Sequence, residues 1–339
     1  MWLRKKRAAD AAPAEASPAT GITIMRSPGD PSCDDMFDAL QARDWGTARH
    51  YLVNAPNAEI FADRLLAAAD VEGLETWIDD VIRDEPDATL PLLVKGARYT
   101  HWAWEARGGG WAKDVPDHVW PVWFDRLRQA EDALDEVVDR EPGNAEAWHW
   151  LIVLARARQL PKEELWRRYR ALVAADPTNY YGHTQMLEGL KKKWSGSHEA
   201  MLEFARTTAQ AHPGTHLPVI LAMAHWELSH DHDDRWAYMK SVGDEVWAAA
   251  YGSLFHPNYK ASHFTSHVGN WLALLLMYCG FLEASEEGFD MLGDRFVTHM
   301  PWAYWGDPVE RYNLTQDIVR SNLARHRAQG TVGPKEQRP

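Results

Sequence analysis

Residues 130–179 read AEDALDEVVDREPGNAEAWHWLIVLARARQLPKEELWRRYRALVAADPTN. Two helical patterns in this stretch end at a proline, Pro142 and Pro177, and each proline is followed by a turn that closes on asparagine. Residues four positions apart share one face of a helix, so apolar pairs at that spacing predict packing against a neighbouring helix. Proline then ends the helix, because it has no backbone N–H and clashes with the preceding turn. The stretch therefore predicts helical hairpins joined by short turns.

The same arrangement recurs along the chain. An apolar anchor, a second anchor four positions later and a proline eight or nine positions further on occur in four copies: Leu74/Ile78/Pro86, Ala130/Leu134/Pro142, Leu165/Tyr169/Pro177 and Ala200/Phe204/Pro213. Tyr169 lies 35 residues after Leu134 and 35 residues before Phe204. This period is close to the roughly 34 residues of a tetratricopeptide repeat, whose second helix carries an A-x3-F pattern ending at a proline. The turns at 141–144, 176–179 and 212–215 end in Asn or Thr, which favour capping of the following helix.

We therefore predict an all-α protein, a right-handed α-solenoid of tetratricopeptide-like hairpins over residues 35–327. The segments 1–34 and 328–339 have no helical or strand period, and we predict that both are disordered. The helix pairs are expected at 35–56, 57–88, 89–143, 144–178, 179–213, 214–250 and about 261–299, followed by a capping helix over about 308–327. An insertion at 105–121 interrupts the third pair.

Composition and charge exclude several classes of protein. The chain has 36 Lys+Arg against 49 Asp+Glu and a net charge of -13, which disfavours binding to nucleic acid. Its two cysteines, Cys33 and Cys279, do not make a disulfide framework, and we expect a cytoplasmic protein. The longest apolar run, residues 271–279, is less than half of the roughly 20 residues that a membrane-spanning helix needs, so no membrane span is expected.

Several stretches resemble a bacterial family of tetratricopeptide-like helical proteins to which no activity is assigned. They are Arg107-Gly108-Gly109-Gly110-Trp111-Ala112, Lys193-Trp194-Ser195-Gly196-Ser197 ahead of Met201 and Phe204-Ala205, and Asn270 with Ala273. The resemblance covers about residues 95–300 and implies a helical-hairpin fold. Residues 145–151 also resemble a tetratricopeptide first helix, with Trp148 and Leu151 three positions apart. Gln159 stands where glycine is usual, so the peptide-clamp residues of that repeat family are not carried over.

Tryptophan, with 18 copies, is the compositional signal for a contact surface. Five of them fall within 22 positions in and beside the insertion: Trp102, Trp104, Trp111, Trp120 and Trp123. Trp is a favoured interface anchor, although most copies in a helical protein belong to the core. The candidate partner-binding residues lie in the insertion, on first helices or in the motifs that carry the resemblance, and are Trp104, Arg107, Gly108, Trp111, Trp148, His183, Met186, Lys193, Trp194 and Asn270.

Two histidine clusters suggest a metal site. His230 and His232 alternate with aspartates, and His263 and His267 are one helical turn apart. Both clusters also have ordinary interpretations, a turn with an N-cap for the first and half-buried histidines for the second. Residues 108–110 lack the ending of a phosphate-binding loop, and no nucleophile motif is complete. We therefore expect no metal and no cofactor.

The sequence favours an interaction scaffold over an enzyme. Stacked helix pairs form a groove, and we expect that groove to bind a peptide or protein partner through first-helix residues such as Trp148, Leu151, His183 and Met186. The alternative is a metal-dependent hydrolase using the two histidine clusters. A third possibility is the immunity-type partner of a toxin.

Overall fold

The computed structural model of the chain describes residues 21–110 and 112–330. Residues 1–20 and 331–339, which are part of the segments predicted to be disordered, lie outside these ranges. So does Trp111, one of the predicted partner-binding residues. Over the described residues the protein is all-helical, with sixteen α-helices, five short 3₁₀ helices and no strand. The predicted all-α class is confirmed.

The helix bounds follow in chain order. The first eight helices are α1 (Ser32–Gln41), α2 (Trp45–Val53), α3 (Ala58–Ala69), α4 (Ile78–Asp84), α5 (Leu90–Arg107), α6 (Val119–Arg140), α7 (Ala145–Ala157) and α8 (Lys162–Ala175). The remaining eight are α9 (Tyr180–Gly189), α10 (His198–Ala211), α11 (Val219–Leu228), α12 (Arg235–Ser241), α13 (Gly243–Gly252), α14 (Thr265–Cys279), α15 (Leu282–Leu292) and α16 (Pro308–Ala328). The 3₁₀ helices are Leu74–Thr76, Ala112–Asp114, Lys192–Trp194, Ser229–Asp231 and Trp302–Trp305.

The four prolines of the recurring pattern mark helix ends. Helices α4, α6, α8 and α10 each end two residues before one of them. Two of the predicted caps are confirmed, because Asn144 Oδ1 accepts a hydrogen bond from the Ala147 amide at 3.0 Å and Asn179 Oδ1 accepts one from the Gly182 amide at 2.8 Å. Thr215 instead accepts from the amide of Leu217, ahead of the start of α11.

The chain divides into two compact units. The N-terminal unit contains residues 30–189 and 193–195, and the C-terminal unit contains residues 21–29, 190–192 and 196–330. In the N-terminal unit, consecutive helices pack as the pairs α1/α2, α5/α6 and α7/α8. The first helices of neighbouring pairs also pack on one another, α3 on α5, α5 on α7 and α7 on α9. Each first helix is therefore covered on more than one side.

Two glycines allow close approach within this unit. A Cβ atom added at Gly96 of α5 would lie 2.4 Å from Leu134 Cγ of α6, and one at Gly182 of α9 would lie 2.2 Å from Leu172 Cδ1 of α8. Real Cβ atoms do not approach this closely, so only glycine fits at these crossings.

In the C-terminal unit the main contacts join α10 to α11, α11 to α13, α12 to α14, α14 to α15 and α15 to α16. The pair expected at 214–250 is instead three helices, α11, α12 and α13. Asp234 explains the additional helix, since its Oδ1 accepts a hydrogen bond from the Ala237 amide at 2.9 Å and caps α12. No helix in the described ranges has both the length and the apolar character to cross a bilayer.

Candidate functional site

An aromatic and cationic cluster lies in the N-terminal unit, and we call it the Arg107 cluster. Its members come from α5, α6, α7, α9 and the 3₁₀ turn after α9, and are Trp104, Arg107, Trp120, Trp123, Arg156, Glu188, Lys193 and Trp194. The end of α5 and the Lys193-Trp194 turn are distant in sequence, and both were singled out as candidate partner-binding sites. The structure brings them together.

Indole rings form the base of the cluster. Trp104 meets Trp123 edge to face with ring centroids 4.5 Å apart, and it meets Trp194 edge to face at 6.1 Å. Trp104 and Trp123 are almost fully buried, whereas Trp194 and Trp120 are partly exposed. Edge-to-face pairs of this kind fix the orientation of each ring beyond what burial alone does. The base is therefore a rigid aromatic surface.

Arg107 lies among three of these rings. Its guanidinium carbon is 5.4 Å from the ring centroid of Trp104 and 5.8 Å from those of Trp120 and Trp123. Its Nη1 donates to the carbonyl oxygens of Gly108 and Gly110, each at 3.2 Å. Within the described part of the chain it forms no ion pair, and burial lowers its pKa. Arginine nevertheless stays charged at neutral pH, so this half-buried cation has no carboxylate partner there.

Gly108 gives Arg107 its backbone acceptors. It follows the last residue of α5 with φ 74° and ψ 178°, a backbone conformation that is strained for other residues. The chain leaves the helix axis at this point, and the carbonyl groups of Gly108 and Gly110 face the guanidinium. Gly108 stays a candidate partner-binding residue, and its positive φ sets the path of the loop after α5.

Glu188 is the carboxylate of the cluster. Its Oε1 lies 2.8 Å from Lys193 Nζ and 3.6 Å from Arg156 Nη1, and it accepts a hydrogen bond from Trp194 Nε1 at 3.2 Å. The Arg156 guanidinium carbon lies 5.4 Å from the Trp194 centroid, and burial lowers the pKa of Arg156. Arg156 Nε is buried without a hydrogen-bond partner among the described residues. Two cations, Lys193 and Arg156, thus share one carboxylate, and Arg107 lies in the same cluster without one.

Exposed apolar side chains border the cluster. Trp120 stacks on Phe124 with ring centroids 6.1 Å apart. Phe124 is 50% exposed and its neighbour Val122 is 43% exposed. The sequence analysis named neither of them, nor Arg156 or Glu188. The only signal for this part of the site was the density of tryptophans around 102–123.

The other candidate residues lie inside the helical packing. Trp148, His183, Met186 and Asn270 are buried, as is Leu151. Trp148 Nε1 donates to the Pro142 carbonyl at 2.8 Å, and Asn270 accepts from Trp302 Nε1 at 2.6 Å. First helices that pack against several neighbours have little surface left for a ligand, and we do not include these residues in the candidate site.

The predicted metal ligands have other contacts. His230 Nδ1 lies 2.9 Å from the Trp226 carbonyl, and His232 stacks on Tyr238 with centroids 4.1 Å apart. His263 Nε2 lies 3.1 Å from Ser27 Oγ, and the ring centroids of His263 and His267 are 6.4 Å apart. Across residues 21–110 and 112–330, no three or more His, Cys, Asp or Glu side chains are grouped so that they could hold a metal ion.

The Arg107 cluster combines a half-buried cation, the partly exposed indole rings of Trp120 and Trp194, and exposed apolar side chains. These groups suit recognition of an anionic group that lies next to an apolar one. Comparison of the chain with protein-family models, with curated proteins and with solved structures found no match.

Proposed function

We propose that the chain is a cytoplasmic interaction scaffold, a right-handed α-solenoid of tetratricopeptide-like hairpins that binds a peptide or protein partner. The α5/α6 and α7/α8 pairs and the packing of α3, α5, α7 and α9 on one another support the hairpin architecture within the N-terminal unit. The Arg107 cluster is the proposed contact site.

The proposal rests on the positive charge of Arg107, which has no carboxylate partner among the described residues. Removing a cation from water costs several kcal/mol unless a counter-ion or hydrogen bonds replace the water. Each well-placed contact with an indole face stabilises the cation by about 0.5–2 kcal/mol. The carbonyl groups of Gly108 and Gly110 add two hydrogen bonds. A carboxylate on a partner would supply the missing charge. Arginine and tryptophan are also the residues that dominate binding energy at protein interfaces.

Val122 and Phe124 add the apolar part of the contact. Phe124 is exposed and stacks on Trp120, and Val122 is an exposed apolar side chain on the same helix. Apolar side chains around a desolvated charge exclude water and strengthen the ion pair. The partner segment should therefore carry an acidic side chain beside an apolar one.

Affinity purification of the full chain from its native cells tests the proposal. A partner identified by mass spectrometry is then purified, and its dissociation constant is measured by calorimetry for the wild type and for Arg107→Gln. We expect Arg107→Gln to weaken binding at least tenfold, about 1.4 kcal/mol or more, because it removes a buried charge pair.

Arg128→Gln is the matched control. Arg128 lies on α6 but is 58% exposed and already paired with Asp125 and Asp132, so its loss should change the affinity less than about threefold. Circular dichroism confirms that both variants fold. Equal affinity of the wild type and Arg107→Gln, or binding that disappears with a chelator, would contradict the proposal.

A further inference from the structure

A second cluster of rings and arginines lies in the C-terminal unit, and we call it the Trp226 cage. Its members come from α11, the 3₁₀ turn after it, α12, α14, the 3₁₀ helix at 302–305 and α16, and are Trp226, His230, Arg235, Tyr278, Tyr304, Trp305 and Arg311. Side chains from the 3₁₀ turn, α12, α14 and the 3₁₀ helix at 302–305 thus meet at the Trp226 ring, and Arg311 of α16 contacts Trp305.

Trp226 is the centre of the cage. Its ring centroid lies 5.0 Å from that of His230, 5.2 Å from Tyr278, 5.5 Å from Trp305 and 6.1 Å from Tyr304. Trp226 is 1% exposed, whereas Tyr304 and Trp305 are partly exposed. Solvent therefore reaches one side of the cage.

Two arginines lie over neighbouring rings of the cage, Trp226 and Trp305. The guanidinium carbon of Arg235 lies 5.2 Å from the Trp226 centroid, and that of Arg311 lies 4.4 Å from the Trp305 centroid. Across the described residues, neither side chain forms an ion pair or a hydrogen bond. In the described part of the chain, no carboxylate lies within ion-pair distance of either arginine of the Trp226 cage, unlike Glu188 beside Arg156 in the Arg107 cluster.

Three buried donors in the cage have no acceptor. The Nε1 atom of Trp226 and the Nε atoms of Arg235 and Arg311 are buried without a hydrogen-bond partner in the part of the chain that the structure describes. An unsatisfied buried donor costs about 1–3 kcal/mol, so each of the three favours a ligand that accepts its hydrogen bond. All three are N–H groups, and two belong to cations. A partner for these groups would be a hydrogen-bond acceptor, and an anion would also match the charge of the two arginines.

We propose that the Trp226 cage binds a carboxylate attached to an aromatic ring. The planar carboxylate matches the side-on fork formed by the Nε and Nη groups of arginine. The ligand's ring packs against the partly exposed Tyr304 and Trp305, whose rings are inclined at 64° to each other. Cationic ligands are excluded by the two arginines already over the rings. The net charge of -13 favours a monoanion over a phosphate dianion. The inference involves other residues than the Arg107 cluster and does not depend on the proposed function.

Fluorine NMR with 4-fluorobenzoate tests this site. The full chain carrying Arg107→Gln is the starting protein, because that substitution removes the other arginine and tryptophan cluster as a competing anion site. We expect saturable 1:1 binding with a dissociation constant in the range of about 0.1–1 mM, which is usual for a ligand of this size. 4-Fluorobenzamide, which has the same ring but no charge, should bind at least tenfold more weakly, as should acetate and inorganic phosphate in competition.

Substitutions in the Trp226 cage then test whether its residues bind the ligand. Arg235→Gln and Arg311→Gln should each weaken binding by roughly tenfold, since each removes a charge-assisted contact. Trp226→Phe keeps a ring but removes the N–H group, and we expect a loss of about threefold to tenfold. Arg320→Gln is the control, because Arg320 lies on α16 but is 48% exposed and paired with Asp290.

Three results would overturn the proposal. The first is equal binding of 4-fluorobenzoate and 4-fluorobenzamide, or equal binding of 4-fluorobenzoate and inorganic phosphate. Both comparisons use the starting protein, so they do not depend on the folding of a cage variant. The second is an unchanged affinity for 4-fluorobenzoate in folded Arg235→Gln and Arg311→Gln proteins. Absence of any saturable binding below about 10 mM also contradicts it.

Discussion

Arginine and tryptophan side chains contact one another in several parts of this chain. The Arg126 guanidinium carbon lies 3.5 Å from the centroid of Trp102, and that of Arg167 lies 5.5 Å from Trp148. Each such contact contributes about 0.5–2 kcal/mol, less than the several kcal/mol that desolvation of an ion costs. Indole rings therefore orient a guanidinium without replacing its counter-ion. The arginines that lack a counter-ion are the ones to test for ligand binding.

Glu164 is a carboxylate with two arginine partners, and it gives a prediction for the pH dependence of stability. Glu164 accepts hydrogen bonds from Arg167 Nε and Nη2 and from Arg168 Nε, each at 2.7 Å, and Arg167 is the main reason that its pKa falls from 4.5 to about 2. Folding thus favours the ionised form. The stability it contributes is fully present above about pH 5 and is lost as the pH falls towards 2.

We expect Glu164→Gln to lower the free energy of unfolding by about 1–2 kcal/mol at pH 7, a value discounted because solvent reaches the carboxylate. The difference from the wild type should shrink steadily between pH 5 and pH 2. Urea titrations across this range measure it. Glu163→Gln, at the exposed neighbouring position, should stay within about 0.5 kcal/mol of the wild type. A difference for Glu164→Gln that is constant with pH would contradict the assignment.

At the scale of elements, the α5/α6 crossing depends on the absence of one methyl group. Because a Cβ at Gly96 would overlap Leu134, Gly96→Ala should destabilise the protein by about 1–3 kcal/mol. Leu134→Ala removes the overlapping atoms and leaves a cavity, so that substitution alone costs about 2–5 kcal/mol. In the double variant the alanine methyl occupies part of this cavity. We expect its loss to be at least 1 kcal/mol smaller than the sum of the single losses.

Gly143→Ala is the control for this cycle. Gly143 lies in the turn between α6 and α7, and a Cβ there would have no atom within 4 Å. Its substitution should change the free energy of unfolding by no more than about 0.5 kcal/mol. Additive losses at Gly96 and Leu134 would show that α5 and α6 do not meet at these residues.

Helix boundaries were predictable because their causes are local. The prolines stop α4, α6, α8 and α10, and Asn144 and Asn179 satisfy amides at the start of the next helices. The subdivision into α11, α12 and α13 was not predicted. His230 to Asp234 was interpreted as a turn, and the cap at Asp234 does not by itself show that the helix it begins has only seven residues.

At the scale of the whole molecule, each unit contains one cysteine. Cys33 lies in the N-terminal unit and Cys279 in the C-terminal unit, and both are free and buried. Burial raises the pKa of each thiol from 9.0 to about 12, with Asp63 a further cause at Cys33. Only the thiolate reacts with alkylating reagents, so each thiol reports the opening of its own unit.

We expect both thiols of the native protein to react with iodoacetamide at pH 8 at least a hundredfold more slowly than in the unfolded chain. Gly96→Ala should accelerate the labelling of Cys33 more than that of Cys279, because Gly96 and Cys33 are in the same unit. Peptide mass spectrometry measures the two sites separately. Equal acceleration at both would show that the two units open together.

The sequence by itself determined the all-α class and the ends of the four helices that stop before a proline, and it singled out Trp104, Arg107, Lys193 and Trp194 as candidate contact residues. These follow from effects that act within a few residues, namely helical periodicity, proline, capping and local tryptophan density. The tertiary structure alone decided that Trp194 meets Trp104 near the end of α5 and that Tyr278, Tyr304 and Trp305 surround Trp226. It also decided that Trp148, His183 and Met186 are buried. Burial and the pairing of charges depend on distances between helices that are remote in sequence, and local periodicity does not encode those distances.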